Sequence, residues 1–217
     1  MSDTHGLHDR MEHLVPEGDV LVHAGDFCRF GRPSEVRDFA AWMGAHPHAH
    51  KIVVPGNHDR PVEADPTGCR DIFAAHQIQL LIHDAVEIRG YRFFGSPYTP
   101  TFLNWHFMRD RGPAIRAEWE KIPEKSDVVI THGPAYGHGD MAPAWKGQPP
   151  RHVGCFELLN RLRLIRPQLH VFGHIHDGYG IMISDEIPGA TFLNASVCTE
   201  AYRPSNPPHH VALREIC

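Results

Sequence analysis

Four stretches of this chain follow one rule. A short apolar, β-branched run ends at a glycine-containing break that delivers Asp, Asn or His. They are Val20-Leu21-Val22-His23-Ala24-Gly25-Asp26, Ile52-Val53-Val54-Pro55-Gly56-Asn57-His58-Asp59, Val128-Val129-Ile130-Thr131-His132-Gly133 and His170-Val171-Phe172-Gly173-His174-Ile175-His176. Runs of this length read as buried strands, and the breaks as sharp turns. Between the first two, Val36, Phe39, Ala40 and Met43 recur at helical spacing behind Pro33, with Ser34 as the expected N-cap. Strand, helix, strand is a βαβ unit, which implies a parallel pair with a right-handed crossover. Open α/β sheets hold their ligand sites at the carboxyl ends of such strands. One break alone reads equally well as an Asx-type turn beside a surface histidine. Repeated four times, the pattern predicts that Asp26, Asn57, His132, His174 and His176 converge.

The remaining chain supplies supporting elements. Residues 60–75 read as a loop and a short helix. Leu80 to Ile82, Ala85 to Ile88 and Tyr91 to Phe94 read as short strands, turning at Arg89-Gly90. The stretch 96–111 is punctuated by Tyr98, Phe102, Trp105 and Phe107. It either lines a pocket or packs on the core through its own aromatics. A helix is predicted from Pro113 to Lys121, and another from Cys155 to Leu164 with Phe156, Leu159 and Leu162 inward. The Gly/Pro-rich stretch 134–150, with His138, Asp140 and Trp145, is a candidate lid or specificity loop. Ile181 to Ile183, Thr191 to Leu193 and a tail run, Val211 to Leu213, read as strands.

Composition sets outer bounds. A length of 217 residues predicts one domain, 1–217, with a substantial core. A net charge of -5 with no Lys/Arg run argues against stable nucleic-acid binding or an anionic membrane partner. Cys28, Cys69, Cys155, Cys198 and Cys217 show no paired spacing and read as reduced thiols. No apolar run approaches membrane-spanning length and the first residues are polar, so a cytoplasmic location is expected. Most of the 19 histidines need ordinary explanations, among them His46, His48 and His50 in a Pro-broken stretch and His209-His210 in the tail.

The donor types then narrow the chemistry. Asp3-x-His5 puts two ligand-type side chains on one side of an extended segment. Adding Asp26, Asn57, His132, His174 and His176 gives two carboxylates, one amide oxygen and four imidazoles. That is too many for one tetrahedral zinc and suits two ions about 3.5–4 Å apart that share a carboxylate. Mixed N/O ligands favour Mn, Fe, Zn, Co or Ni over Mg or Ca. Two divalent ions against two carboxylates leave roughly +2, which attracts a phosphate and brings a metal-bound hydroxide within reach of neutral pH. His58 is placed to donate a proton to a leaving oxygen or to stabilise the phosphorane. Asp59 would either orient His58 or stabilise the turn.

The set Asp3-x-His5, Gly25-Asp26, Gly56-Asn57-His58-Asp59, His132 and Gly173-His174-x-His176 resembles the calcineurin-like metallophosphoesterases. Gly18-Asp19 to Asp26, Pro33 to Val36, Val153 to Asn160, His170 to Ile181 and Asn194-Ala195-Ser196 are similar to the metallophosphoesterase-domain-containing subgroup. The resemblance implies a four-layer α/β sandwich with two facing mixed β-sheets. It implies one metal on Asp3, His5, Asp26 and His176, and a second on Asp26, Asn57, His132 and His174, with Mn favoured. His58 would be catalytic, and Asn57 and His58 would bind substrate. The implied activity is a phosphodiesterase acting on small phosphodiesters such as cyclic nucleotides. A low-turnover nucleotide-binding or scaffold protein is the alternative, and an oligomer is left open. In the family, Asp-x-His follows a buried first strand, whereas here only Met1 and Ser2 precede Asp3. That strand is expected to be truncated, its place taken by an upstream segment, another part of the chain or another subunit.

Overall fold

The computed structural model describes residues 1–144 and 147–215; Trp145 of the candidate specificity loop and Cys217 lie outside the described residues. A 3₁₀ turn (His8–Leu14) precedes β1 (Val20–His23), α1 (Pro33–Ala45), β2 (His50–Val53), α2 (Arg60–Ala64), α3 (Pro66–Ala75) and β3 (Gln79–Leu80). The chain continues through β4 (Asp84–Ile88), β5 (Tyr91–Ser96), β6 (Thr99–Pro100), β7 (Met108–Arg109), α4 (Pro113–Trp119) and β8 (Val128–Thr131). Then come β9 (Met141–Ala142), β10 (Arg151–His152), α5 (Phe156–Ile165), β11 (Leu169–Phe172), β12 (Gly180–Ile183) and β13 (Thr191–Asn194).

Strand alternation sorts these elements into four layers. β1, β2 and β3 form a parallel sheet. Strands in the order β12-β13-β11-β8-β5-β4 form a mixed one, parallel at its centre and antiparallel at both edges. Val20, Val22, Ile52 and Val54 point inward onto Phe93, Val128, Ile130, Leu169 and Val171, so the two sheets face each other. The alternate residues point outward. Leu21 and Val53 meet Val36, Phe39 and Met43 of α1 and Phe73 of α3. Phe94, Val129, Phe172 and Phe192 meet Trp119 of α4 and Leu158, Leu159 and Leu162 of α5. A period of two is what lets one strand serve two cores.

Several local expectations change. Residues 60–75 form two helices rather than one. The N-cap of α1 is Arg32, not Ser34, because the Glu35 carboxylate reaches back to accept from the backbone N–H of Arg29, Phe30 and Arg32. Phe156, at the first position of α5, is half exposed and lies against Tyr136 and Arg163 rather than facing inward. His48 is buried and bonded to the Pro16 carbonyl. Val211 to Leu213 form no strand. Val211 and Leu213 pack onto inter-sheet side chains instead, and the tail is held through Tyr91, Gln168 and Gly189. Cys28, Cys69, Cys155 and Cys198 are buried and unbridged. Among the described residues no helix is long and apolar enough to cross a membrane.

The segment ahead of Asp3 links both sheets without forming a strand. The Met1 ammonium donates to the Val22 carbonyl (3.0 Å), and Ala24 N–H donates to the Met1 carbonyl (3.0 Å). Val197 N–H donates to Ser2 O at 2.9 Å, and Ser2 bridges Ser196 in parallel. Asp3 and His5 therefore follow directly from a buried, doubly anchored segment.

His170, on the outward face of β11, is fully buried; its Nε2 meets Thr131 Oγ1 at 2.8 Å and its Nδ1 has no partner. Burial pushes its imidazole down to about 3. Unfolded, it takes up its proton near the ordinary value of about 6.5. Between these values the unfolded state binds the extra proton, so stability is lost as pH falls from about 6.5, by about 1.4 kcal/mol per unit. His170→Gln is expected to flatten the fall in melting temperature between pH 7 and pH 5. Parallel curves for the two proteins would remove His170 from the acid transition.

Candidate metal centre

Every donor to the centre leaves the carboxyl end of a strand or the N-terminal segment beside them. Asp26 follows β1, Asn57 and His58 follow β2, His132 follows β8, and His174 and His176 follow β11. These four strands are parallel within their sheets, so their ends open on one side. Asp3 N–H donates to Gly25 O (2.8 Å) and His5 N–H to Asp26 O (3.0 Å), which sets the first segment against the second. Asp3, His5, Asp26 and His174 all hold φ between 43° and 69°. Non-glycine residues rarely take the left-handed region, and such strain concentrates where side chains are aimed for function. Two glycines are required by close approach. A Cβ on Gly56 would collide with the Asp26 carboxylate and the His132 ring, and one on Gly173 with the Asp3 carboxylate.

The donors form two triads, Asp3 with His5 and His176, and Asp26 with His132 and His174; in each, the candidate ligand atoms lie within 4.8 Å of one another. His176 Nε2 stands 3.4 Å from Asp3 Oδ1, and His132 Nε2 3.4 Å from Asp26 Oδ1. His5 Nε2 joins the triads, 3.9 Å from Asp26 Oδ2 and 3.3 Å from His176 Nε2. Asn57 Oδ1 lies 2.9 Å from His132 Nε2. His58 sits at the edge, its Nε2 4.0 Å from Asp26 Oδ2.

Backbone carbonyls fix which nitrogen faces inward. His132 Nδ1 meets Ala24 O, His176 Nδ1 meets Thr199 O and His58 Nδ1 meets Arg29 O, at 3.0, 3.0 and 3.2 Å. A carbonyl only accepts, so Nδ1 carries the proton and Nε2 is presented to the centre. Electrostatics follow from burial. Burial alone would push Asp3 and Asp26 up, but the neighbouring histidines, His176 beside Asp3 and His132 beside Asp26, hold both below the usual carboxylate range. Burial works against protonated His132 and His176, yet Asp26 and Asp3 hold each up to about 9. Burial pushes His5 and His174 down to about 4.

This donor set fits divalent ions. Two ligand atoms that share an ion at about 2.1 Å stand about 3–3.5 Å apart, which is the spacing between the paired Asp and His atoms and is long for a hydrogen bond. His5 Nδ1 is buried with no partner, and the ring nitrogens converge on carboxylates rather than on donors. All seven expected donors, Asp3, His5, Asp26, Asn57, His132, His174 and His176, are therefore brought together.

Asp59 takes the second of its two expected roles and extends it. Its carboxylate accepts from the backbone N–H of Gly56 (2.7 Å), Asp26 (2.9 Å) and Cys28 (2.8 Å), and so ties the β1 and β2 loops together rather than orienting His58. Sequence reading quoted Ser196 within the subgroup resemblance but gave it no role, and missed Tyr202: Ser196 Oγ donates to Asp3 Oδ2 at 2.8 Å, and the Tyr202 ring lies edge-on to His5 at 4.7 Å. Neither stands in a strand-end pattern. His138 turns away from the centre: its ring stacks on Phe192 and its Nε2 meets Ser184 Oγ at 2.9 Å. Two larger cavities, about 480 and 540 Å³, flank the tail at the opposite ends of the strands and contain none of the seven donors.

The family model for the calcineurin-like phosphoesterases matches residues 1–178. Metallophosphoesterase domain-containing protein 1 of Homo sapiens is 41% identical over 230 residues, covering 96% of this chain and 68% of the human protein. A UPF0046 protein of Caenorhabditis elegans is 35% identical over 223 residues, covering 96% of this chain and 77% of its own. The phosphopantetheinyl hydrolase of Mycobacterium tuberculosis superposes with a TM-score of 0.63 at 17% identity, over 93% of this chain and 89% of that one, a likeness of fold.

Ligation needs neutral His132 and His176, and both hold a proton up to about 9 in the metal-free chain. Loading is therefore expected to release about two protons per chain at pH 7, and the apparent affinity to rise with pH until about 9. Calorimetric titration with Mn²⁺ in two buffers of different ionisation enthalpy measures this. Binding with no proton release would show the two histidines to be neutral or unused.

Proposed function

The chain belongs to the calcineurin-like phosphoesterase family, and from that premise we propose that it is a dinuclear-metal phosphodiesterase acting on small phosphodiesters, cyclic nucleotides among them. Metal-dependent phosphoester hydrolysis is the family's chemistry. The observation that carries the finer reading is the pair of triads, built on two buried carboxylates, with His58 at their edge, its Nε2 turned toward Asp26. Bound divalent ions, with Mn favoured, would polarise the phosphate and lower the pKa of a water molecule. Asn57 and His58 would meet the phosphate. With its Nδ1 given to Arg29 O, His58 has Nε2 free to hand a proton to the leaving oxygen.

Diester rather than monoester is supported by the space beside the centre. A cavity of about 310 Å³ opens next to His174, with Pro100, Phe102, Pro134 and Ile175 as apolar wall and Arg111 and Arg151 at its rim. A monoester has only its leaving group to place beside the centre, whereas a diester brings a second organic arm, which this wall would take.

The Mn-loaded protein is expected to hydrolyse bis(4-nitrophenyl) phosphate faster than 4-nitrophenyl phosphate. His58→Ala is expected to keep its metal and lose about 10²- to 10⁴-fold in kcat. Asp26→Asn is expected to lose metal. Full metal occupancy with negligible turnover of every diester and cyclic nucleotide tried would favour a nucleotide-binding scaffold instead.

A further inference from the structure

Trp105 is an exposed aromatic beside the chemistry. Its ring stacks on the His58 imidazole, centroids 4.4 Å apart and planes 29° from parallel. The same imidazole meets His5 edge-on at 4.7 Å and donates Nδ1–H to Arg29 O. One edge and one face of the ring are thus fixed, and Nε2 remains directed at Asp26.

Trp105 is not loosely placed, although its loop is short of regular structure. The next two residues are clamped by one carboxylate: His106 Nδ1–H donates to Glu63 Oε2 at 2.7 Å and Phe107 N–H to Glu63 Oε1 at 3.0 Å. Glu63 lies on α2, the helix that begins just after His58 and Asp59. Phe107 is buried in the core, and its carbonyl accepts from Thr99 N–H at 3.1 Å. The indole and the imidazole are therefore referred to one short rigid element from two directions.

We propose that Trp105 is a positioning residue for His58, held in place by the Glu63 clamp, and that it sets the ring plane in which Nε2 meets the leaving oxygen. The proposal rests on the phosphodiesterase reading. A misaimed proton donor costs most where the leaving alcohol is least acidic. Trp105→Ala is expected to lower kcat about tenfold with phenyl methyl phosphate, less with 4-nitrophenyl methyl phosphate, and to change KM little. Trp105→Phe is expected to recover most of the loss. Glu63→Ala is expected to reproduce it in part, and to add nothing to Trp105→Ala.

Two measurements decide the point. In a His58→Ala background, Trp105→Ala is expected to cause no further fall in kcat; an equal fall in both backgrounds would overturn the proposal. In the metal-free protein, deuterium exchange at the C2 carbon of His58, read by mass spectrometry, is expected to quicken severalfold in Trp105→Ala and to stay slow in Trp105→Phe. Unchanged exchange would also overturn it. If His58→Ala alone leaves kcat intact, the catalytic reading of His58 fails; the exchange result still reports separately on the stack.

Discussion

The structure depends on two carboxylates that are almost fully out of water. Asp3 and Asp26 are 0% and 2% exposed. An isolated buried carboxylate is too costly to keep charged unless it is paired. Here each is answered by histidines from elements far along the chain. Asp3 takes the backbone N–H of His174, 171 positions further along the chain, and the ring of His176. Asp26 takes His132 and the backbone N–H of His58. The two sheets are therefore joined by charge at their carboxyl ends as well as by apolar contact along their lengths. Removing Asp26 or Asp3 takes away the anion that holds His132 or His176 up to about 9, and leaves burial to push that imidazole down.

Rigidity at these ends comes from backbone bonds to polar side chains. Asp59 accepts three N–H groups from two different strand ends, and Ser196 and His174 share the carboxylate of Asp3. Burial and the neighbouring charge of Asp26 push the Asp59 carboxyl up, while the N–H groups of Gly56 and Cys28 oppose them. The strained left-handed turns at Asp3, His5, Asp26 and His174 are affordable because these bonds over-determine them.

The large strands and the convergence of Asp26, Asn57, His132, His174 and His176 were legible because both obey local rules. A β-branched run announces a strand, and a glycine beside a ligand-type residue announces its end. Such rules see one element at a time. Ser196 lies past β13 in a stretch with no such signature, and its meeting with Asp3 depends on how two sheets pack. Val211 and Leu213 show the converse failure: an apolar alternation promised a strand, but the tail meets side chains instead of an open edge. Ser34 lost the cap of α1 to a carboxylate one residue further on, a competition that propensity alone does not resolve.

Histidine number alone says little about a centre; the disposition of both ring nitrogens says more. His132, His176 and His58 each give Nδ1 to a backbone carbonyl and turn Nε2 to a carboxylate. His138 also gives Nδ1 to a carbonyl, that of Tyr136, yet its Nε2 is spent on Ser184, so nothing is left to bind with. His23 spends both nitrogens, on Thr4 and on the N–H of Gly25, and His170 keeps its Nδ1 buried without a partner among the described residues. The carbonyls that matter belong to Ala24, Arg29 and Thr199, residues no motif would single out. A metal-type histidine is thus made by the chain around it: a strand end that aims the ring, a carbonyl that fixes the tautomer, and a buried anion that makes the remaining lone pair worth placing.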